Sequence, residues 1–132
     1  MSAKILDANA LMAFFLDEPG AGTVRDMLLE AQAGNGTLAM SVVNLGEIWY
    51  SIARAVSPET ADQYIHRIHG MAIEIVDVDW QLTYQAAMYK RMGNIAYADC
   101  FAAAVARIRQ AEVVTGDKEF KTLEAEIKFL WI

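Results

Sequence analysis

Short apolar runs alternate with segments of helical period from one end of this chain to the other. That order restricts the fold more than any other feature. Residues 3–6 read as a buried strand and residues 9–17 as a short helix, stopped near Pro19 and Gly20. Val24, Met27, Leu28 and Ala31 fall at i, i+3, i+4 and i+7, which predicts a second helix over residues 23–33. Gly34-Asn35-Gly36 ends it and turns the chain into a strand at residues 38–40. Ser41 is a candidate N-cap for a long helix over residues 42–55, with Leu45, Ile48, Trp49 and Ile52 as its core face. Ser57-Pro58 opens the next helix, to about residue 69. A strand at 72–76, helices at 80–92 and 97–109, and strands at 113–115 and 127–130 complete the order. The expectation is an α/β fold, one domain over residues 1–132. Its sheet would be five-stranded and mainly parallel, with helices on both faces.

In such a sheet the functional crevice lies beyond the carboxyl ends of the strands. Asp7 directly follows the first strand, and Asp117 follows Val113-Val114-Thr115-Gly116. Both therefore belong to one candidate site on topology alone. Glu47 lies off the apolar stripe of its helix, in a polar row with Asn44, Ser51 and Arg54. Asp99 falls in the first turn of its helix, where the helix dipole favours a carboxylate. Its neighbours Ala96, Ala98, Ala102, Ala103 and Ala106 are small, so that helix can approach the sheet closely. Each acid also has an ordinary structural reading. Asp7 could cap a helix, Asp99 could serve the dipole, Glu47 could be solvated and Asp117 could be a turn residue. Crowded carboxylates repel by on the order of 4 kcal/mol per pair at ~4 Å and an effective dielectric near ~20. A divalent cation reverses that sign and points to phosphate chemistry.

Charge and composition narrow the function classes. The formal net charge is −6 and the pI about 4.8, which argues against a basic surface that holds long nucleic acid. Acids at a metal site count toward that charge, so a nuclease is compatible with it. The apolar run at residues 10–16 is too short to span a membrane and is preceded by Asp7, unlike a signal peptide. With a single cysteine, Cys100, the expected location is the cytoplasm. Cys100 reads as a small buried hydrophobe. His66 and His69 have a metal-like spacing but no completing ligand, and read as surface or packing residues. Trp49 and Trp80 read as core, with partner contact as the other reading. Arg25, Arg54, Lys90, Arg91, Lys118 and Lys121 are candidate phosphate contacts.

Four segments carry a resemblance. They are Ile5-Leu6-Asp7-Ala8-Asn9, Ser41-Val42-Val43-Asn44-Leu45-Gly46-Glu47, Tyr97-Ala98-Asp99-Cys100-Phe101-Ala102-Ala103-Ala104, and Val114-Thr115-Gly116-Asp117 with Phe120. Taken in order, they resemble a PIN domain, and more closely the VapC-type toxin ribonucleases of toxin–antitoxin pairs. The resemblance implies that Asp7, Glu47, Asp99 and Asp117 hold Mg²⁺ or Mn²⁺ and are catalytic, with Asp7 and Asp99 most central. It implies that Asn9 and Thr115 orient carboxylates or water. The implied reaction is metal-assisted hydrolysis of an RNA phosphodiester, with water attacking phosphorus in line. The implied partners are an RNA substrate, a second copy of the chain in a homodimer, and a VapB-type antitoxin. The C-terminal segment of that antitoxin covers the acidic site, and an Arg or Lys from it would suit the crevice. A non-catalytic PIN-like binding module is the alternative. Two other Asp-dependent folds fit less well. A haloacid-dehalogenase-like phosphatase needs a second Asp where Asn9 stands, and a receiver domain needs paired acids at the first strand.

Overall fold

The computed structural model describes residues 3–132. Its strands are β1 (Ala3–Leu6), β2 (Thr37–Ser41), β3 (Ile73–Val76), β4 (Glu112–Thr115) and β5 (Phe129–Trp131). The helices are α1 (Ala8–Phe15), α2 (Ala21–Gln32), α3 (Val42–Ala55), α4 (Pro58–His69), α5 (Trp80–Lys90) and α6 (Tyr97–Arg109). A 3₁₀ turn, Lys118–Leu123, follows β4.

The sheet order is β3-β2-β1-β4-β5, and every pairing is parallel. Side chains alternate across it, as the two-residue period requires. Ile5, Ala39 and Val113 point to one core with α5 and α6. Leu6, Met40 and Val114 point to the other, with α1 to α4. Both faces are thus covered, which is why the strands are apolar at consecutive positions rather than at alternate ones.

The chain builds outward from β1 to β2 and β3, then crosses back to place β4 on the other side of β1. The β1–β4 boundary is therefore the topological switch point, and the carboxyl ends of these two strands are where a sheet of this kind places a ligand site.

Local signals start the helices where expected. The side chains of Ser41, Ser57 and Asp79 accept hydrogen bonds from Val43, Thr60 and Leu82 backbone N–H groups, capping α3, α4 and α5. Gly34 and Gly36 take φ of +85° and +95° in the turn before β2.

The structure departs from expectation at several places; α1 and α5 each end two residues early, at Phe15 and Lys90. The last strand begins two residues later than predicted, because Ile127 is buried in the core rather than paired in the sheet. The 3₁₀ turn was not foreseen in the sequence. Trp80 is 72% exposed at the start of α5, edge-on to Tyr84. Trp49 is 37% exposed, with its indole N–H donating to Asp62. On α3 the buried face is Asn44, Leu45, Ile48 and Ile52, so Trp49 lies at its edge and Asn44 lies inside it. Cys100 is fully buried, while His66 and His69 are exposed, in line with their sequence readings.

Candidate active site

Asp7 leaves the end of β1 and caps α1. Its Oδ1 accepts from the Ala10 backbone N–H at 2.8 Å. Its Oδ2 accepts from the Thr115 hydroxyl at 2.5 Å, across the β1–β4 boundary. The same Thr115 oxygen accepts from the Asp117 backbone N–H at 3.0 Å. One buried hydroxyl therefore ties the carboxylate after β1 to the backbone after β4. Asp7 thus caps α1 and is tied to the end of β4 at once.

Asn9 works on the neighbouring peptide. Its Oδ1 accepts from the Gly116 N–H at 2.8 Å. A Cβ at residue 116 would stand 3.0 Å from that oxygen and 3.2 Å from the Ile132 carbonyl, so a side chain there would push against the turn, and glycine suits the close approach. Asn9 is exposed and holds the turn that carries Asp117, rather than a carboxylate directly. Asp117 in turn caps the 3₁₀ turn by accepting from the Glu119 N–H at 3.0 Å.

Glu47 enters from α3. Its Oε1 accepts from the Asn44 side-chain amide at 2.8 Å. Asp99 enters from the first turn of α6 and is 8% exposed. The alanines Ala102, Ala103, Ala104 and Ala106 are all buried, which lets this helix and its carboxylate lie close to the sheet.

These acids share one electrostatic environment. Burial pushes the Asp7 carboxyl up to about 7, against the hydrogen bonds from Thr115 and Ala10 and reinforced by Asp117 and Glu47. Burial also pushes Asp99 up to about 7, with Asp117, Glu47, Asp7 and Glu119 adding repulsion. Glu47 is raised as well, by burial first, opposed by Asn44 and reinforced by Asp117. The ion pairs Lys4–Glu112, Arg25–Asp26 and Arg109–Glu74 lie elsewhere. Among the described residues, none of the crowded acids forms an ion pair with a base.

Sequence reasoning missed one acid. Glu119 lies two residues beyond Asp117, and one carboxylate oxygen each from Asp99, Asp117 and Glu119 come within 4.8 Å of one another. Two oxygens on one hard cation, with bonds of about 2.0–2.6 Å, stand at most roughly 4–5 Å apart. The Asp-Lys-Glu spacing was visible, but only the 3₁₀ turn brings Glu119 back beside Asp117. An all-oxygen donor set of carboxylates suits a hard divalent ion such as Mg²⁺ or Mn²⁺, and fits neither zinc nor copper as well.

The PIN-domain family model matches residues 4–126. The chain belongs to the PIN-domain family. No curated protein matches it by sequence, but solved structures match the PIN fold closely. A chain in the crystal structure of VapBC2 from Rickettsia felis, bound to a DNA fragment from its promoter, superposes with a TM-score of 0.77 at 20% identity. The match covers 98% of each chain. VapBC-1 from nontypeable Haemophilus influenzae gives 0.73 at 17% identity, over 98% of this chain and 97% of that one. VapC20 from Mycobacterium tuberculosis, a toxin that cleaves the sarcin-ricin loop, gives 0.66 at 18% identity, over 94% and 95%. At these identities the likeness is one of PIN fold.

Proposed function

We propose that this PIN domain is a VapC-type toxin, a Mg²⁺- or Mn²⁺-dependent endoribonuclease that hydrolyses RNA phosphodiester bonds. The observation that supports the reading is the cluster of Asp99, Asp117 and Glu119, whose carboxylate oxygens come within 4.8 Å of one another, with Asp7 and Glu47 near enough to add to the repulsion on Asp99. Apart from Asp117 and Glu119, which share one turn, they arrive from separate elements, and buried acids with no paired base among the described residues are held there at the expense of their own ionisation. A cation resolves that conflict.

Asp7 and Asp99 are the central pair, Glu47 and Asp117 complete the set, and Thr115 and Asn9 position its two sides. When bound, the ion supplies Lewis acidity, neutralising charge on the phosphate and making water a better nucleophile. Thr115 fixes the rotamer of Asp7 so that one lone pair of each oxygen remains free for the crevice. Asp99, behind its alanines, is screened from water on the helix side, which strengthens its interaction with any charge in the crevice.

The VapB-type antitoxin, the homodimer and a cytoplasmic location belong to the same reading. The VapBC assemblies among the similar structures support the first. Exposed Trp80, Tyr84, Tyr50 and Trp49 are apolar surface that protein partners would cover. Among the described residues no helix is long and apolar enough to cross a membrane.

The test is incubation of the antitoxin-free chain with total cellular RNA, with Mg²⁺ or Mn²⁺ and with EDTA, beside Asp99→Asn. Discrete fragments are expected that need metal, and that Asp99→Asn reduces by on the order of 100-fold or more. Metal-independent cleavage, or full activity in Asp99→Asn, would overturn the mechanism. Failure of the folded chain to bind metal at all would favour the non-catalytic module.

A further inference from the structure

Four residues of α3 are buried, and three of them are apolar. The fourth is Asn44, with no exposed surface. Its amide nitrogen donates twice, to Glu47 Oε1 at 2.8 Å and to the Ala98 carbonyl at 3.1 Å. Ala98 is the residue directly before Asp99. A single –NH₂ group therefore links the carboxylate of one helix to the backbone from which the next carboxylate hangs. The other end of the amide, Oδ1, is buried without a hydrogen-bond partner among the described residues.

That arrangement is unfavourable as packing. A buried amide oxygen left unpaired costs about 1–3 kcal/mol, and leucine at this position would continue the Leu45, Ile48, Ile52 face without it. Both donors of the amide are used and its acceptor is not, so the group's value lies in what it donates to. Its two targets are the parts of α3 and α6 that must meet at the acidic centre.

We propose that Asn44 is a positioning residue: its amide holds the Glu47 carboxylate against the first turn of α6, so that Glu47 and Asp99 reach one cation together. This rests on the metal-site reading above. Asn44 touches neither substrate nor ion, and acts through Glu47.

The experiment is Mn²⁺ titration of the full chain by calorimetry, with the metal-free Tm measured on each variant. The set is the unaltered chain, Asn44→Leu, Asn44→Ser, Glu47→Ala and Asn44→Leu combined with Glu47→Ala. Asn44→Leu is expected to keep the metal-free Tm and to weaken Mn²⁺ by roughly 10–100-fold, the usual effect of losing a group that orients a ligand. In the Glu47→Ala background the same change is expected to alter affinity less than about twofold, since the carboxylate through which Asn44 acts is gone. Asn44→Ser, smaller and without the amide, is expected to follow Asn44→Leu and stands in for it should the leucine disturb folding. Unchanged Mn²⁺ affinity in a folded Asn44 variant overturns the proposal. So does an equal loss in both backgrounds, which would make Asn44 merely structural. A folded, unaltered chain that binds no Mn²⁺ overturns the metal-site reading itself, a result visible before any variant is compared.

Discussion

Thr115 has one hydroxyl and uses it twice, as donor to Asp7 and as acceptor from the Asp117 backbone. Thr115→Val keeps the shape and removes both bonds. It is expected to destabilise the fold by about 1–3 kcal/mol, because two buried partners lose their match, and to lower RNA cleavage by roughly 10–100-fold. Chemical denaturation and a cleavage time course check the two effects separately; wild-type activity at reduced stability would confine Thr115 to folding. At this scale the sequence announced the residues that end strands or open helices, because position in an α/β order already says where such side chains go. Asp7, Asp99 and Asp117 are of that kind. Glu119 and Asn44 are not. Glu119 depends on a turn too short to carry a periodic signal, and helical spacing sets Asn44 in a polar row with Glu47, Ser51 and Arg54. Its true place inside the helix–helix contact follows from how α3 and α6 are packed, which no single helix encodes.

Among the elements, α6 bears most directly on the centre, since its buried alanines set how far Asp99 reaches. Ala103→Leu is expected to cost about 1–3 kcal/mol by overpacking and to move α6 outward, lowering Mn²⁺ affinity even though no ligand changes. Isothermal titration beside Ala103→Ser separates the two sources of loss, because serine adds almost no volume; equal affinities in both variants would show that helix position is not limiting. The bounds of α3, α4 and α6 were readable from Ser41, from Ser57-Pro58 and from periodicity. The other ends were less so. Residues 127–130 are apolar enough for a strand, yet Ile127 is taken by the core beneath the 3₁₀ turn, and pairing begins at Phe129. Trp80 misled for the opposite reason. Size and apolarity argue for burial, but the face of α5 that packs on α6 is made by Leu82, Ala86 and Tyr89.

For the molecule as a whole, the raised carboxyls make stability depend on pH in an unusual direction. Folded Asp7 and Asp99 keep their protons up to about pH 7, while the unfolded side chains release theirs near 3.8. Between those values the folded state binds more protons, so stability falls as pH rises through the window and levels off above about 7. Glu74, lowered by its hydrogen bond to Arg109 from a starting value of 4.5, works the other way, at the acid end of that range. The metal-free Tm is therefore expected to be several degrees lower at about pH 8 than at about pH 5.5. Added Mn²⁺ should restore it most at the higher pH, where it no longer competes with protons. Differential scanning calorimetry at the two pH values decides this; a metal-free Tm that rises with pH would show that the acids are not buried together. The same topology has a consequence for the moment of synthesis. Thr115 and Asp7 meet across 108 residues, and a ribosome adds about 5–20 residues per second, so roughly 5–20 s separate the first half of that contact from the second. Until β4 emerges, β1 is a sheet edge, and Asp7, Glu47 and Asp99 have no fourth side to close on. In a nascent or truncated chain the contact between Asp7 and Thr115 cannot form, so the acidic cluster is assembled only after nearly all of the chain has been translated.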